Sequence, residues 1–269
     1  MLTDKPEVGE DNWQEAGTAW SHAGVDWALR FEPYARDAIE ELFSQFRIGP
    51  DVDLLDVACG AGYALGIAER RGARTAGIDA SAELIELAQR RTSQTELIVG
   101  SMFALPWPDA SFDVVTSFNG IWGGCDNALR EAHRVLRDGG RIGFTFWGRG
   151  AMLDLRDYFI VLGTTAPGGA DEMRGLAAIG APGAAEEMLS GAGFELDGSG
   201  STKAILEMVD DDEAWRCLRS PGLVVPSLRA VGEGELRRRV MAAIASFRAP
   251  DGSYRLVNEL VHVLGVKRG

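Results

Sequence analysis

The sequence predicts an α/β protein with a mostly parallel, doubly wound sheet and a helical cap. Two observations carry this. Between residues 53 and 147, short apolar runs alternate with amphipathic helical patterns, the signature of strands covered by helices on both faces. At the head of that alternation, Leu54-Leu55-Asp56-Val57-Ala58-Cys59-Gly60-Ala61-Gly62 runs from apolar to acidic to small residues and breaks into Gly-x-Gly. A helical pattern from Tyr63 to Arg71 follows at once, so a buried strand stops, the chain turns tightly and a helix begins. Gly60 and Gly62 let a ligand lie against the turn, and the free N–H groups of the new helix face it.

Taken in order, residues 11–46 hold two helical stretches. Trp13, Ala16 and Trp20 share one side of the first. The second begins near Pro33, a favourable first-turn residue, and places Ala35, Ala38, Ile39, Leu42, Phe43 and Phe46 on one face. Gly49-Pro50 closes this cap, expected over residues 1–50, and hands over to the main domain, residues 51–269. Strands are expected at 53–58, 74–79, 96–100, 112–118 and 141–147, with helices near 62–71, 81–91 and 126–137. Ser81 and Asp126 are the expected N-caps, and Gly139-Gly140 the stop of the third helix. Beyond 147 the alternation loosens into Gly- and Ala-rich sequence, read as a lid insertion over 148–181. A helix near 184–190 precedes a strand opening at Phe194-Glu195-Leu196. Helices near 211–219 and 233–247 form a second insertion within 210–249. Arg237-Arg238-Arg239 reads as the solvated face of the latter, and a last strand covers 254–266.

Composition narrows the function. At 46% hydrophobic and 25% charged, the chain is of the globular type, and no apolar run approaches the roughly 20 residues of a membrane span. The acidic, polar start is not a secretory signal. A net charge of −13 without a basic stripe disfavours nucleic-acid partners. Three cysteines without ligand spacing, and three scattered histidines, suit reduced thiols in the cytoplasm and no metal site. No surface stripe points to an oligomer.

The turn is of a nucleotide-binding kind. A dinucleotide site of the NAD type usually needs Gly-x-Gly-x-x-Gly, and Leu65 breaks that pattern. The stretch instead resembles the first motif of class I S-adenosylmethionine (SAM) dependent methyltransferases, Asp/Glu-x-Gly-x-Gly-x-Gly, with Ala58 and Ala64 replacing the outer glycines. Gly77-Ile78-Asp79 then ends the second strand with an acid suited to ribose hydroxyls. The segment Gly100-Ser101-Met102-Phe103-Ala104-Leu105-Pro106-Trp107-Pro108-Asp109-Ala110-Ser111-Phe112-Asp113 is similar to the family's Gly-Asp-Ala-x-x-Leu-Pro-Phe-x-Asp-x-Ser-Phe-Asp, with Ser101 in place of Asp. Arg134-Val135-Leu136-Arg137-Asp138-Gly139-Gly140 resembles Arg-Val-Leu-Lys-Pro-Gly-Gly. The likeness spans about residues 53–147 and is nearest the small-molecule enzymes related to ubiquinone and menaquinone C-methyltransferases.

The resemblance implies a Rossmann-like, seven-stranded sheet with the last strand antiparallel, SAM as cofactor and a small, apolar methyl acceptor. It assigns Asp56, Ala58, Cys59, Gly60 and Gly62 to the cofactor turn, Asp79 to the ribose and Ser101 and Met102 to the adenine. Phe118 would border the methionine part, and Tyr63 is a candidate for its carboxylate. His22, in the cap, is the candidate base. Trp20, Tyr34, Asn119, Trp122 and Trp147 are candidates for the acceptor pocket. Cys59 is not read as a nucleophile, and His133 and His262 read as core histidines. A nicotinamide-dependent oxidoreductase and a non-catalytic SAM-binding protein are the alternatives.

Overall fold

A computed structural model describes residues 12–269; the first eleven residues of the expected cap lie outside the described part. The chain opens with α1 (Trp13–Trp20), a strap of short turns over residues 21–35, and α2 (Arg36–Gln45). Then come β1 (Asp53–Val57), α3 (Tyr63–Arg70), β2 (Arg74–Asp79), α4 (Ala82–Arg91), β3 (Glu96–Val99), β4 (Phe112–Phe118), α5 (Asp126–Val135) and β5 (Leu136–Trp147). Helices α6 (Arg156–Thr165), α7 (Gly169–Ala178) and α8 (Ala184–Gly191) precede β6 (Phe194–Met208). Helices α9 (Asp211–Leu218), α10 (Val225–Val231) and α11 (Glu233–Ala243) separate it from β7 (Tyr254–Lys267). The seven strands form one sheet in the order β3-β2-β1-β4-β5-β7-β6. Pairings among β1 to β5 are parallel, and β7 runs antiparallel to both β5 and β6. This is the expected Rossmann-like class, with the last strand reversed.

Alternation along the strands divides the core between two faces. Leu54 and Val114 pack with Ile39, Phe43 and Leu65 from α2 and α3. Leu55, Val57 and Val115 pack on the opposite side with Leu129 and Leu189 from α5 and α8. Both faces are covered, as apolar parallel strands require. Strand order reverses direction between β1 and β4, so their carboxyl ends open a crevice where open α/β sheets hold ligands.

Three elements depart from the sequence reading. Helix α5 stops at Val135 rather than near 137, and Leu136 already pairs with Phe112 in the sheet. Its end is fixed from outside: the N–H groups of Ala110 and Ser111 bond the carbonyls of Arg134 and Val135. Lys267 Nζ reaches the carbonyls of His133 and Leu136 at 2.9 and 2.8 Å. Strand β6 runs far beyond Leu196, through the loop-like Asp197-Gly198-Ser199-Gly200-Ser201, because its pairing with β7 holds it extended along the sheet edge. Within 148–181, α6 contributes fully buried Tyr158, whose hydroxyl donates to the Leu218 carbonyl at 2.9 Å.

The cap is bolted to both the sheet and the second insertion. Gly17, rather than exposed Ala16, is the buried contact of α1, and a Cβ there would fall 2.0 Å from the Ala80 carbonyl oxygen. Gly222 likewise meets Trp20 at 2.8 Å. Asp26 pairs with Arg30 and Arg216, joining the strap to α9. No helix among the described residues is long and apolar enough to cross a membrane.

Candidate functional site

Beyond Val57 the chain leaves the sheet through a turn with left-handed backbone at Ala58 (φ 55°), Gly60 (φ 56°) and Gly62 (φ 75°). Cys59 N–H donates to the Ile78 carbonyl, and Gly62 N–H to the Cys59 carbonyl, each at 3.0 Å, which pins the turn to β2. The two glycines do different work. A Cβ on Gly62 would lie 2.8 Å from Ala88 Cβ, so its bareness serves the packing of α3 against α4. A Cβ on Gly60 would instead face the strap, 2.9 Å from Glu32 Oε1 and 3.5 Å from Trp27 Nε1. Ala58 adopts the left-handed conformation at a cost of about 1–2 kcal/mol, a strain concentrated at the site.

Three carboxyl groups converge here. Asp79, at the end of β2, accepts the N–H of Gly60 at 2.9 Å and of Ser81 at 2.8 Å. Burial raises its pKa, and those two donors oppose the rise. Asp56 is buried and accepts the Thr116 hydroxyl at 2.7 Å. Burial pushes it up to about 8, with the charges of Glu32 and Asp79 adding to the effect. Glu32 reaches in from the strap, accepting the Ala61 N–H at 2.8 Å and pairing with Arg91. Burial outweighs that pairing and lifts Glu32 to about 7. With Arg91 the one cation bonded to this group, the turn favours a ligand carrying positive charge. Cys59 is buried and its thiol pKa is raised well above the ordinary value, first by burial, so it stays a thiol.

A cavity of about 40 Å³ lies at the carboxyl ends of β1 and β4. Asp56, Ala58, Cys59, Gly60, Tyr34 and Phe118 line it, bringing five of the predicted cofactor residues together with one predicted acceptor residue. Trp147 and Asn119 lie one layer back. Trp147 stacks on Tyr34 with centroids 4.9 Å apart, and Asn119 Nδ2 donates to the Tyr34 hydroxyl at 2.7 Å. Asn119 itself holds φ 59°, which aims its amide there from the end of β4. Trp20 packs edge-on against Trp27 at 4.8 Å. Ser101 and Met102 follow β3; the Ser101 hydroxyl caps its own turn by accepting the Phe103 N–H at 3.2 Å. Trp122 belongs to the core on the other face of the sheet, apart from this cavity. His22 is outside the lining: its Nε2 is 2.7 Å from the Arg219 carbonyl oxygen, which can only accept, so His22 serves as a donor between cap and insertion. His133 lies edge-on to Phe194, and His262 is buried in β7 beside Gly200.

Sequence reasoning passed over Trp27, Glu32 and Arg91. The strap reads as irregular sequence, yet Glu32 between Phe31 and Tyr34 is an acid flanked by residues that must be buried. Arg91 reads as an ordinary helix-ending cation. In the structure its guanidinium bonds Glu32 and the carbonyls of Ala61 and Ala28, joining strap, turn and α4. Trp27 Nε1 is buried without a hydrogen-bond partner among the described residues. An unmet buried donor costs about 1–3 kcal/mol, which marks a place where a ligand acceptor fits.

Residues 55–144 match a family model described as a methyltransferase domain. The Serratia marcescens malonyl-[acyl-carrier protein] O-methyltransferase is 32% identical over 152 residues, covering 54% of this chain and 58% of that protein. The Thermotoga maritima demethylmenaquinone methyltransferase is 36% identical over 93 residues, covering 33% of this chain and 41% of that protein. The chain thus spans about half the length of these curated relatives. In fold, it is similar to a solved structure from Bacillus halodurans, with a TM-score of 0.59 at 17% identity over 86% of this chain and 99% of that one.

Proposed function

We propose, from the premise that residues 55–144 of this chain are a methyltransferase domain, that it transfers a methyl group from SAM to a small, apolar acceptor held beneath the cap. The observation that carries the reading is the pairing of a left-handed turn at Ala58, Gly60 and Gly62 with the Asp79 carboxylate bonded across it. The residues present fit the cofactor: a bare backbone face at Gly60, an unmet donor at Trp27 and acids that favour a cationic ligand. When bound, SAM supplies a methyl group on a positively charged sulfur.

Asp79 is the residue placed to accept the ribose hydroxyls, and Asp56 orients the turn from below. Ser101 and Met102 are proposed to line the adenine, and Phe118 to border the methionine part. On the acceptor side, Tyr34 and Asn119 form the polar pair and Trp147 the apolar wall. Burial raises the Tyr34 pKa, so its hydroxyl stays protonated and orients an acceptor by hydrogen bonding rather than removing a proton. Placement and exclusion of water supply the acceleration expected of such a site. The two relatives are named for different acceptors, malonyl-acyl carrier protein and demethylmenaquinone, so the apolar acceptor rests on the rings around Tyr34. Three free, buried cysteines support a reducing, cytoplasmic setting.

Calorimetry with S-adenosylhomocysteine tests the reading. Binding is expected for the wild type and is expected to weaken at least tenfold in Asp79→Ala, the loss of charge-assisted hydrogen bonds. Absence of binding would sink the proposal. Binding without methyl transfer to a broad panel of small acceptors would favour a non-catalytic SAM-binding protein.

A further inference from the structure

We infer that the strap recognises the amino-acid end of the cofactor: the Trp27 indole N–H takes the α-carboxylate and the Glu32 carboxylate takes the α-ammonium, both above the bare face of Gly60. This rests on the proposal that the turn binds SAM. The starting point is that both polar groups surround one spot. A Cβ on Gly60 would sit 3.5 Å from Trp27 Nε1 and 2.9 Å from Glu32 Oε1.

Each group has an unmet need. The indole N–H is buried and bonds nothing among the described residues, whereas buried Trp N–H groups usually find an acceptor. Glu32 is 8% exposed; one oxygen accepts the Ala61 N–H and the other pairs with Arg91. Carboxylate oxygens have lone pairs to spare, so a further donor can be accommodated. The charged groups around Glu32 are Arg91 from α4, Asp56 from β1 and Asp79 from β2, with Tyr34 beside it on the strap. That set is short of positive charge, and burial accordingly lifts Glu32 to about 7. An anion alone would meet repulsion from Glu32 and Asp56. A cation alone would leave Trp27 unsatisfied. A zwitterion answers both.

The orientation of the indole is already fixed. Trp27 stacks on Phe31 at 5.0 Å and meets Trp20 and Tyr34 edge-on at 4.8 and 6.4 Å. It opens a wide π turn, Trp27–Phe31, a form that recurs at functional sites. Arg91 ties that turn to the glycine turn through the carbonyls of Ala28 and Ala61.

The test compares two nucleosides on the full chain by calorimetry: S-adenosylhomocysteine and 5′-methylthioadenosine, which lacks the amino-acid end. Trp27→Phe is expected to weaken the first about tenfold or more, the loss of a hydrogen bond to a charged group, and to leave the second within about twofold. Equal weakening of both, or no change in the first, overturns the inference. For Glu32, titrations at pH 7 in buffers of different ionisation enthalpy read proton release. The wild type is expected to release about half a proton more than Glu32→Gln, because the ammonium ionises a group titrating near neutrality. Equal release overturns the ammonium assignment. A wild type that binds neither nucleoside overturns the SAM reading itself.

Discussion

Replacing Gly62 by alanine probes the junction on which the site is built. Two costs follow from the structure. Gly62 holds φ 75°, where an L side chain costs about 1–2 kcal/mol. The new methyl would sit 2.8 Å from Ala88 Cβ and 3.1 Å from Ala88 Cα, inside a packed helix interface; overpacking of that kind costs about 1–3 kcal/mol. Ala88 is fully buried and its Cα is backbone, so relief requires α3 and α4 to part. The expected total is about 2–5 kcal/mol, read by urea unfolding, with a Tm lower by about 4–10 °C. Adding Ala88→Gly should recover the steric share and leave the conformational one, so the pair should couple in a double-mutant cycle. A Gly62→Ala protein within about 0.5 kcal/mol of wild type would refute the assignment of Gly62 to helix packing.

Asp56 makes stability depend on pH with a definite sign. Its folded pKa, about 8, lies above the ordinary carboxyl value, so the native state holds a proton the unfolded chain releases. Its contribution is present at low pH and is lost as pH rises toward 8. The Tm of the apoprotein should therefore fall less between pH 5 and pH 8.5 in Asp56→Asn than in the wild type, and an equal fall would contradict the buried acid. Tyr34→Phe strands the Asn119 amide, and denaturant unfolding should show a loss of about 1–3 kcal/mol. Gly222→Ala drives a methyl into Trp20 and should cost about 1–3 kcal/mol by the same measurement, with Trp20 fluorescence shifting as the cap moves.

The parallel half of the fold was legible because each strand is short, apolar and bounded by a turn or cap. Ser81 caps α4 by accepting the Leu84 N–H, as its place in the sequence suggested. Where the reading slipped, a distant partner decides the local form. Leu136 fits the helix pattern of Leu129 and Ala132, but backbone N–H groups from 110–111 and the Lys267 ammonium capture the helix end one turn early. The Gly- and Ser-rich centre of β6 has little strand propensity of its own. It is extended because β7 pairs along its length, and Gly200 leaves room for His262, whose Nε2 a Cβ would approach to 2.7 Å.

The candidate site divides along the same line. Asp56, Ala58, Gly60 and Asp79 stand at strand ends or in one turn, so their spacing in sequence carries their spacing in space. Glu32 and Arg91 meet across 59 residues, and His22 and Arg219 across 197, so no local pattern announces either contact. This division has a functional consequence. Trp27 and Glu32 face the turn, while Tyr34, two residues on, faces Asn119 and Trp147. One strap thus borders both the cofactor side and the acceptor side, and the Asp26–Arg216 pair and the His22 hydrogen bond hold it against the second insertion. A change that loosens those ties should alter cofactor and acceptor binding together. A change at Asp79, which touches the turn from β2 alone, should alter cofactor binding first.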